Sequence, residues 1–264
     1  MEDVQSRKDE RNQAIDKVGV ADLRYPIVIL DRANGKQHTI ATVSLSVHLP
    51  HEFKGTHMSR FLETLARHHG EITFRTLPAI LEELRTRLSA EKAQIELAFP
   101  YFIERCAPVT GLQALMDIDC RFVAESSEEK GDFLLQTRIP VTSLCPCSKA
   151  ISEYGAHNQR GYVTIALRTV NEQQNVPSMV WIEELVEIVD RSASSPIYPL
   201  LKREDERHVT MRAYDNPAFV EDIVRSVALQ LREDHRVAWF RVHALNHESI
   251  HNHSAFAEIN WERP

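Results

Sequence analysis

The hydrophobic period of this chain switches between two and three-to-four residues in an order that occurs twice. Residues 26–30 form a short apolar strand candidate, and an Asn34-Gly35 turn follows. Over residues 39–49, Ala41, Val43, Leu45, Val47 and Leu49 alternate with Thr42, Ser44, Ser46 and His48. That is the period-2 signature of a half-buried hairpin. Over residues 57–69, Met58, Phe61, Leu62, Leu65 and Ala66 recur at three and four, and Leu77, Ile80, Leu81, Leu84 and Leu88 do the same. This spacing predicts two amphipathic helices. Alternation returns at Ile95, Leu97 and Phe99, then at Met116, Ile118, Cys120 and Phe122, with Pro100 and Gly111 as turn signals between.

After a polar break over residues 126–131, Phe133, Leu135, Thr137 and Ile139 alternate, as do Val163, Ile165 and Leu167. Trp181, Leu185, Ile188 and Val189 then take helical spacing. A further helix is predicted with Asn216 as N-cap, Pro217 at N1, and Phe219, Val220, Ile223, Val224, Val227 and Leu231 along one face. Strands over residues 236–245 and 254–261 close the chain. The order strand, strand, helix, helix, strand, strand thus recurs with a period of about 120 residues, without residue-level identity between the copies. The class this predicts is α+β: two units, each an antiparallel sheet with two helices packed on one face. The sheets' open edges favour association of units into barrels. The expected divisions are a charged arm over residues 1–22, a first unit over 23–127 and a second over 128–264. The arm reads as mobile or as an isolated helix.

Composition narrows the function classes. A net charge of -7 argues against a general nucleic-acid binder, which needs clustered Lys and Arg, although a single nucleotide needs only a local basic cluster. Residues 1–17 are charged throughout and carry no apolar core of a leader. No stretch approaches the roughly 18 apolar residues of a membrane span. No membrane role and a cytoplasmic location are therefore expected. The cysteines, at 106, 120, 145 and 147, are too few for a disulfide framework and are expected as reduced thiols.

Three blocks hold most of the unusual residues. In the first, Cys145 and Cys147 precede His157 across a loop, Cys145 by twelve residues. Thiolate and imidazole are preferred ligands of zinc and similar metals, but buried small thiols beside a polar loop histidine fit the same spacing. The second, Asn246-His-Glu-Ser-Ile-His-Asn-His-Ser254, holds three histidines among seven residues, His247, His251 and His253, a density that suits a metal or proton-transfer site. The third, His51-Glu-Phe-Lys-Gly-Thr-His-Met-Ser-Arg60, opens the first helix, with Thr56 or Ser59 as its cap. It reads either as a plain helix start or, with Lys54 and Arg60, as an anion site. Glu204, Asp205 and Glu206 fall in a charged loop. Glu221 near the last helix start reads either as macrodipole compensation or as an acceptor for a purine edge.

Together the blocks resemble GTP cyclohydrolase IB, from about residue 38 to the end: Lys54-Gly-Thr-His-Met-Ser-Arg60, Ser143-Leu-Cys-Pro-Cys-Ser-Lys149, Tyr154-Gly-Ala-His-Asn-Gln-Arg160 and Glu248-Ser-Ile-His-Asn-His-Ser254. The resemblance implies the tunnelling fold with two units per chain, and a homo-oligomer, a tetramer, with active sites at interfaces. It implies conversion of GTP and water to 7,8-dihydroneopterin triphosphate and formate, the first step of folate and pterin synthesis. It further implies one divalent metal per site, Zn, Mn or Fe(II), held by Cys145, His157, Glu206 and His251, and no organic cofactor. Glu221 corresponds to the anchor of the guanine edge. His253 and His57 are candidates for proton transfer, and Arg160 and Lys149 for the triphosphate. Competing readings are a nitrile oxidoreductase of queuosine synthesis with the same fold and a non-catalytic purine- or pterin-binding protein.

Overall fold

A computed structural model of the chain describes residues 5, 7–68, 72–73, 75–128, 130–170 and 178–264. The strands are β1 Ile15–Asp31, β2 Gly35–Leu49, β3 Lys92–Cys106, β4 Gln113–Ser127, β5 Gly131–Leu144, β6 Asn158–Thr169, β7 Ser195–Pro196, β8 Val237–His247 and β9 Ser254–Glu262. The helices are α1 Met58–Arg67, α2 Leu77–Leu88, α3 Pro146–Ile151, α4 Ile182–Ser192, α5 Arg203–Asp215 and α6 Val220–Glu233. The strands follow the order β1-β2-β3-β4-β5-β6-β8-β9, with the two-residue β7 on β5. The pairs with a determined register, β1 with β2, β2 with β3, β6 with β8 and β8 with β9, are antiparallel. This is the antiparallel α+β class that the sequence predicts, with α1 and α2 between β2 and β3, and α4 to α6 between β6 and β8.

Alternation in the sequence is alternation in burial. Ala41, Val43, Leu45, Val47 and Leu49 of β2 are all buried, as are Ile95, Leu97 and Phe99 of β3. Leu77, Ile80, Leu81 and Leu84 of α2 and Ile223, Val224, Val227 and Leu231 of α6 supply the matching helix faces. At ~25 cal/mol per Å² of apolar surface, stripes of this kind dominate the stability of each unit.

By internal contact density the described residues divide into two units. One takes those of Met1–Pro100 and Arg121–Leu135 with Ser178; the other takes Tyr101–Cys120, Gln136–Val170 and Met179–Pro264. The division falls within β3, β4 and β5.

Several local expectations give way. β1 begins at Ile15, eleven residues before the expected strand, and takes in residues 15–22 of the expected arm. Register shifts after Ile15 and Val20 break its alternation, and Asp22 adopts φ +57°, so the periodicity that marks a regular strand is lost. Gln5, Arg7, Lys8 and Asp9 are neither helix nor loose arm. The amide of Lys54 donates to the carbonyl of Arg7 at 3.0 Å and that of Gly55 to Gln5 at 3.1 Å, with a bridge between Lys8 and Phe53.

His57, not Thr56 or Ser59, takes the N-cap position of α1, with no side-chain cap. Pro100 lies inside β3 rather than in a turn; pairing with β2 ends at Thr42 opposite Ala98, so its missing N–H removes no bond from that ladder. Asn216 closes α5 instead of opening α6, its amide Nδ2 donating to the Arg212 carbonyl at 2.8 Å, and Phe219 is the N-cap of α6. The expected charged loop around residues 204–206 is the first turn of α5. That helix buries only Asp205 and Ala213, so it has no apolar stripe to announce it. Most of residues 169–179, a run of mainly polar residues in the sequence, lies outside the described residues.

Candidate active site

β5 ends at Leu144, and Cys145 becomes the N-cap of α3 with Pro146 at the first helical position, where a fixed φ and a missing N–H are tolerated. The Cys145 sulfur accepts the Ser148 amide at 3.4 Å, which fixes its direction. Two hydrogen bonds then close the loop onto His157. The Cys145 amide donates to the His157 carbonyl at 3.1 Å, and the His157 amide donates to Ser148 Oγ at 3.2 Å. Gly155, at φ +137°, makes the return turn that a side chain would resist.

The imidazole of His157 is oriented by a chain of polar groups. Gln159, which is buried, places Oε1 2.9 Å from His157 Nδ1. Its Nε2 donates to Glu248 Oε1 at 3.4 Å. A carboxylate only accepts, so Gln159 turns its NH₂ to Glu248 and its oxygen to the ring. Nδ1 is then the donor, which leaves Nε2 as the nitrogen to meet a ligand, the arrangement that outer-shell partners give a metal-ligating histidine. Ser249 Oγ lies 3.4 Å from the same Nδ1. Gln159 and Glu248 fall within the blocks that mark the site in the sequence, but their partnership joins residues 89 apart, a relation that no spacing displays.

Glu206 is exposed in the first turn of α5. Its neighbour Asp205 is fully buried. Asp205 accepts from the amides of Val109, Thr110 and Lys202 at 2.9 Å each and from Thr110 Oγ1 at 2.7 Å. Burial alone would push this carboxyl up; the hydrogen bonds outweigh it and hold it far below the usual carboxylate range. The β3–β4 turn is thereby fastened to the helix start that carries Glu206.

Glu221 is exposed in the first turn of α6, where Asp222 caps the Phe219 amide at 3.1 Å. Capping is therefore done by Asp222, and Glu221 has no hydrogen-bond or ion-pair partner among the described residues. His251 and His253 are exposed and stack on each other at 5.0 Å between centroids. Lys149 donates to the Tyr214 carbonyl at 2.5 Å and lies 4.2 Å from that ring's centroid, tying α3 to the end of α5. Arg160 is exposed, with no carboxylate partner among the described residues. His57 belongs to the other unit. Arg60, of the possible anion block, donates to the Arg87 carbonyl at 2.8 Å and closes the end of α2.

All four cysteines are free thiols. Burial pushes the Cys120 thiol well up, with Asp119 and Glu183 adding to the shift, which suits an inert core residue. A directed thiol and an oriented imidazole joined backbone to backbone fit a borderline divalent ion. Among the described residues no three His, Cys, Asp or Glu side chains converge into a metal-holding group. Beside this pair Ile151 is 86% exposed, Tyr154 99% and Ile250 66%. No helix among the described residues is long and apolar enough to cross a membrane.

The fold resembles that of solved uricases. Uricase from Arthrobacter globiformis matches with a TM-score of 0.55 at 10% identity, over 94% of this chain and 93% of that one. Urate oxidase from Bacillus sp. TB-90 matches at 0.54 and 11%, over 95% and 100%. At such identities the likeness is of fold alone. Sequence relatives reach much closer. The GTP cyclohydrolase FolE2 of Nitrosococcus oceani is 51% identical over 263 residues, covering 100% of this chain and 96% of its own. That of Syntrophobacter fumaroxidans is 52% identical over 260 residues, 98% of each. The family model described as type I GTP cyclohydrolase folE2 matches residues 1–257. With near-complete coverage on both sides and half of all positions identical, the chain is an enzyme of the type I GTP cyclohydrolase folE2 family.

Proposed function

We propose that the chain is a GTP cyclohydrolase of type IB that converts GTP and water to 7,8-dihydroneopterin triphosphate and formate, the first step of folate and pterin synthesis. The reading rests on the Cys145–His157 pair and on the Gln159–Glu248 chain that orients the His157 ring through Nδ1. Cys145 and His157 would hold a divalent ion, Zn, Mn or Fe(II), with Glu206 and His251 completing the donor set in the assembled enzyme. A mixed sulfur, nitrogen and oxygen set tolerates all three metals. Activation of water near neutral pH is the chemistry such an ion supplies when bound.

The chain's own residues do the rest. Glu221, relieved of capping by Asp222, accepts the N1–H and 2-amino protons of guanine and fixes which edge of the base faces the site. Arg160 meets the triphosphate, and Lys149, with two N–H donors left after its bond to Tyr214, assists it. His253 carries protons to and from the purine at working pH, and His57 is assigned the same task through the family resemblance alone. The apolar side chains of Ile151, Tyr154 and Ile250, left in water beside the site, support coverage by a second copy. A cytoplasmic tunnelling-fold homotetramer of tandem units, with sites at its interfaces, accords with them.

Formate release from GTP, measured after chelator treatment and again after adding Mn(II) or Zn(II), tests the reading. Activity lost on chelation and restored by metal is expected. No formate from GTP in any metal state would overturn the reaction, and full activity in the stripped protein would overturn the metal assignment.

A further inference from the structure

Outside the groups just assigned, one buried polar pair is in contact with several of the segments that carry them. Ser143 is fully buried on β5, two residues before Cys145. Asn246 is 2% exposed on β8, two residues before Glu248. Asn246 Nδ2 donates to Ser143 Oγ at 3.0 Å, and Ser143 Oγ donates to the Ala218 carbonyl at 3.0 Å. A hydroxyl has one proton, and here it goes to Ala218, so Ser143 must accept from Asn246. That fixes the amide, with Oδ1 turned toward Gly161, opposite Asn246 in the β6–β8 ladder. A Cβ on Gly161 would lie 2.5 Å from this oxygen and 3.1 Å from Val141 Cγ2. Among the described residues Asn246 Oδ1 has no hydrogen-bond partner.

Each segment this pair touches leads within a few residues to a group of the site. Ser143 leads to Cys145, Gly161 follows His157 by four, Asn246 leads to Glu248, and Ala218 precedes Glu221 by three. The Ala218 amide also returns to the Leu144 carbonyl at 3.1 Å, and the Leu144 amide donates to the buried Ser194 Oγ at 3.0 Å. Buried polar groups are costly unless satisfied, and an apolar pair of the same shape can be nearly neutral for stability. A Ser–Asn pair that leaves one amide oxygen unsatisfied at this junction is a poor choice for stability alone.

We propose that Ser143 and Asn246 are positioning residues for GTP turnover, a buried pair that holds the ends of β5 and β8, the start of β6 and the approach to α6 in one register. The proposal rests on the ligand reading given above. Neither residue touches substrate; both act through Cys145, His157 and Glu221. Misplacing reacting groups by about 1 Å costs on the order of 100-fold in rate.

The test compares Ser143→Ala and Asn246→Ala with Thr137→Val. Thr137 lies on the same strand, equally buried, with a hydroxyl that has no partner among the described residues. Steady-state formate release from GTP is measured per folded protein, with near-UV circular dichroism as the fold check and Zn(II) affinity taken by chelator competition. The expected result is a kcat lower by ~10-fold or more with KM within about threefold, and Zn(II) binding weakened ~10-fold, while Thr137→Val keeps its activity. If Asn246→Ala does not fold, Ser143→Ala decides. Folded Ser143→Ala with the kcat and Zn(II) affinity of Thr137→Val would overturn the proposal. Cys145→Ala run in parallel separates the two ideas: unchanged Zn(II) binding there would overturn the ligand assignment, and the kcat comparison would still decide the pair.

Discussion

The backbone amide of Cys145 donates to the carbonyl of His157 at 3.1 Å, so a thiol and an imidazole twelve residues apart leave the chain from one hydrogen-bonded pair. Their separation is set by main chain, and neither can be displaced without the other. Under the proposed function, Cys145→Ala is expected to abolish formate release, a loss of at least ~1000-fold, since the ion it would hold supplies the activated water. Its melting temperature should change little, because the side chain is only half-buried. Parallel assays of GTP turnover and thermal unfolding check both halves of the expectation.

Gln159 offers a milder lesion. Gln159→Leu keeps most of the buried volume but removes the acceptor at His157 Nδ1, so the ring is no longer held in one tautomer. Loss of such an outer partner weakens metal binding ~10- to 100-fold. Chelator competition should show that fall in Gln159→Leu. Glu248→Gln, able to turn its amide oxygen to Gln159 Nε2, should lose less.

Asp205 predicts a pH dependence. Its folded-state carboxyl is held below the ordinary value of about 4. A depressed carboxyl contributes stability that is fully present above the unfolded value and is lost as pH falls below it toward the folded one. Asp205→Asn should therefore be less stable than the parent at pH 7 and pH 5, and the gap should close below pH ~4. Urea unfolding across that range checks the sign; a gap that widens in acid would contradict it. Because Asp205 fastens the turn that bears Glu206, turnover in the variant should fall at neutral pH as well.

Glycine at 161 is required by close approach and not by backbone angle. Gly161→Ala would press its methyl against Asn246 Oδ1 and Val141, and overpacking of this kind costs ~1–3 kcal/mol. Gly131→Ala, whose Cβ would meet only the Glu125 carbonyl at 3.7 Å, should be near neutral. Urea midpoints of the two variants, side by side, test the contrast.

The strands were legible where one face alone is buried: the alternating residues of β2 and β3 lie where their period places them. Legibility failed for particular reasons. β1 carries two register shifts that scramble its alternation, α5 is anchored by a buried carboxylate in place of an apolar stripe, and α3 is too short for any period. The antiparallel order of strands and helices was readable, yet α3, β7 and α5 were not. Two of these adjoin candidate site residues: α3 follows Cys145 and the first turn of α5 carries Glu206. The blocks themselves stood out by residue type. What joins them did not, since Gln159 to Glu248 and Ser143 to Asn246 are contacts across 89 and 103 residues.

The pairing of Gln5, Arg7, Lys8 and Asp9 with the stretch that precedes His57 has a practical side. Strain applied at Gln5 would be carried by a few backbone hydrogen bonds to Gly55, two residues from that histidine.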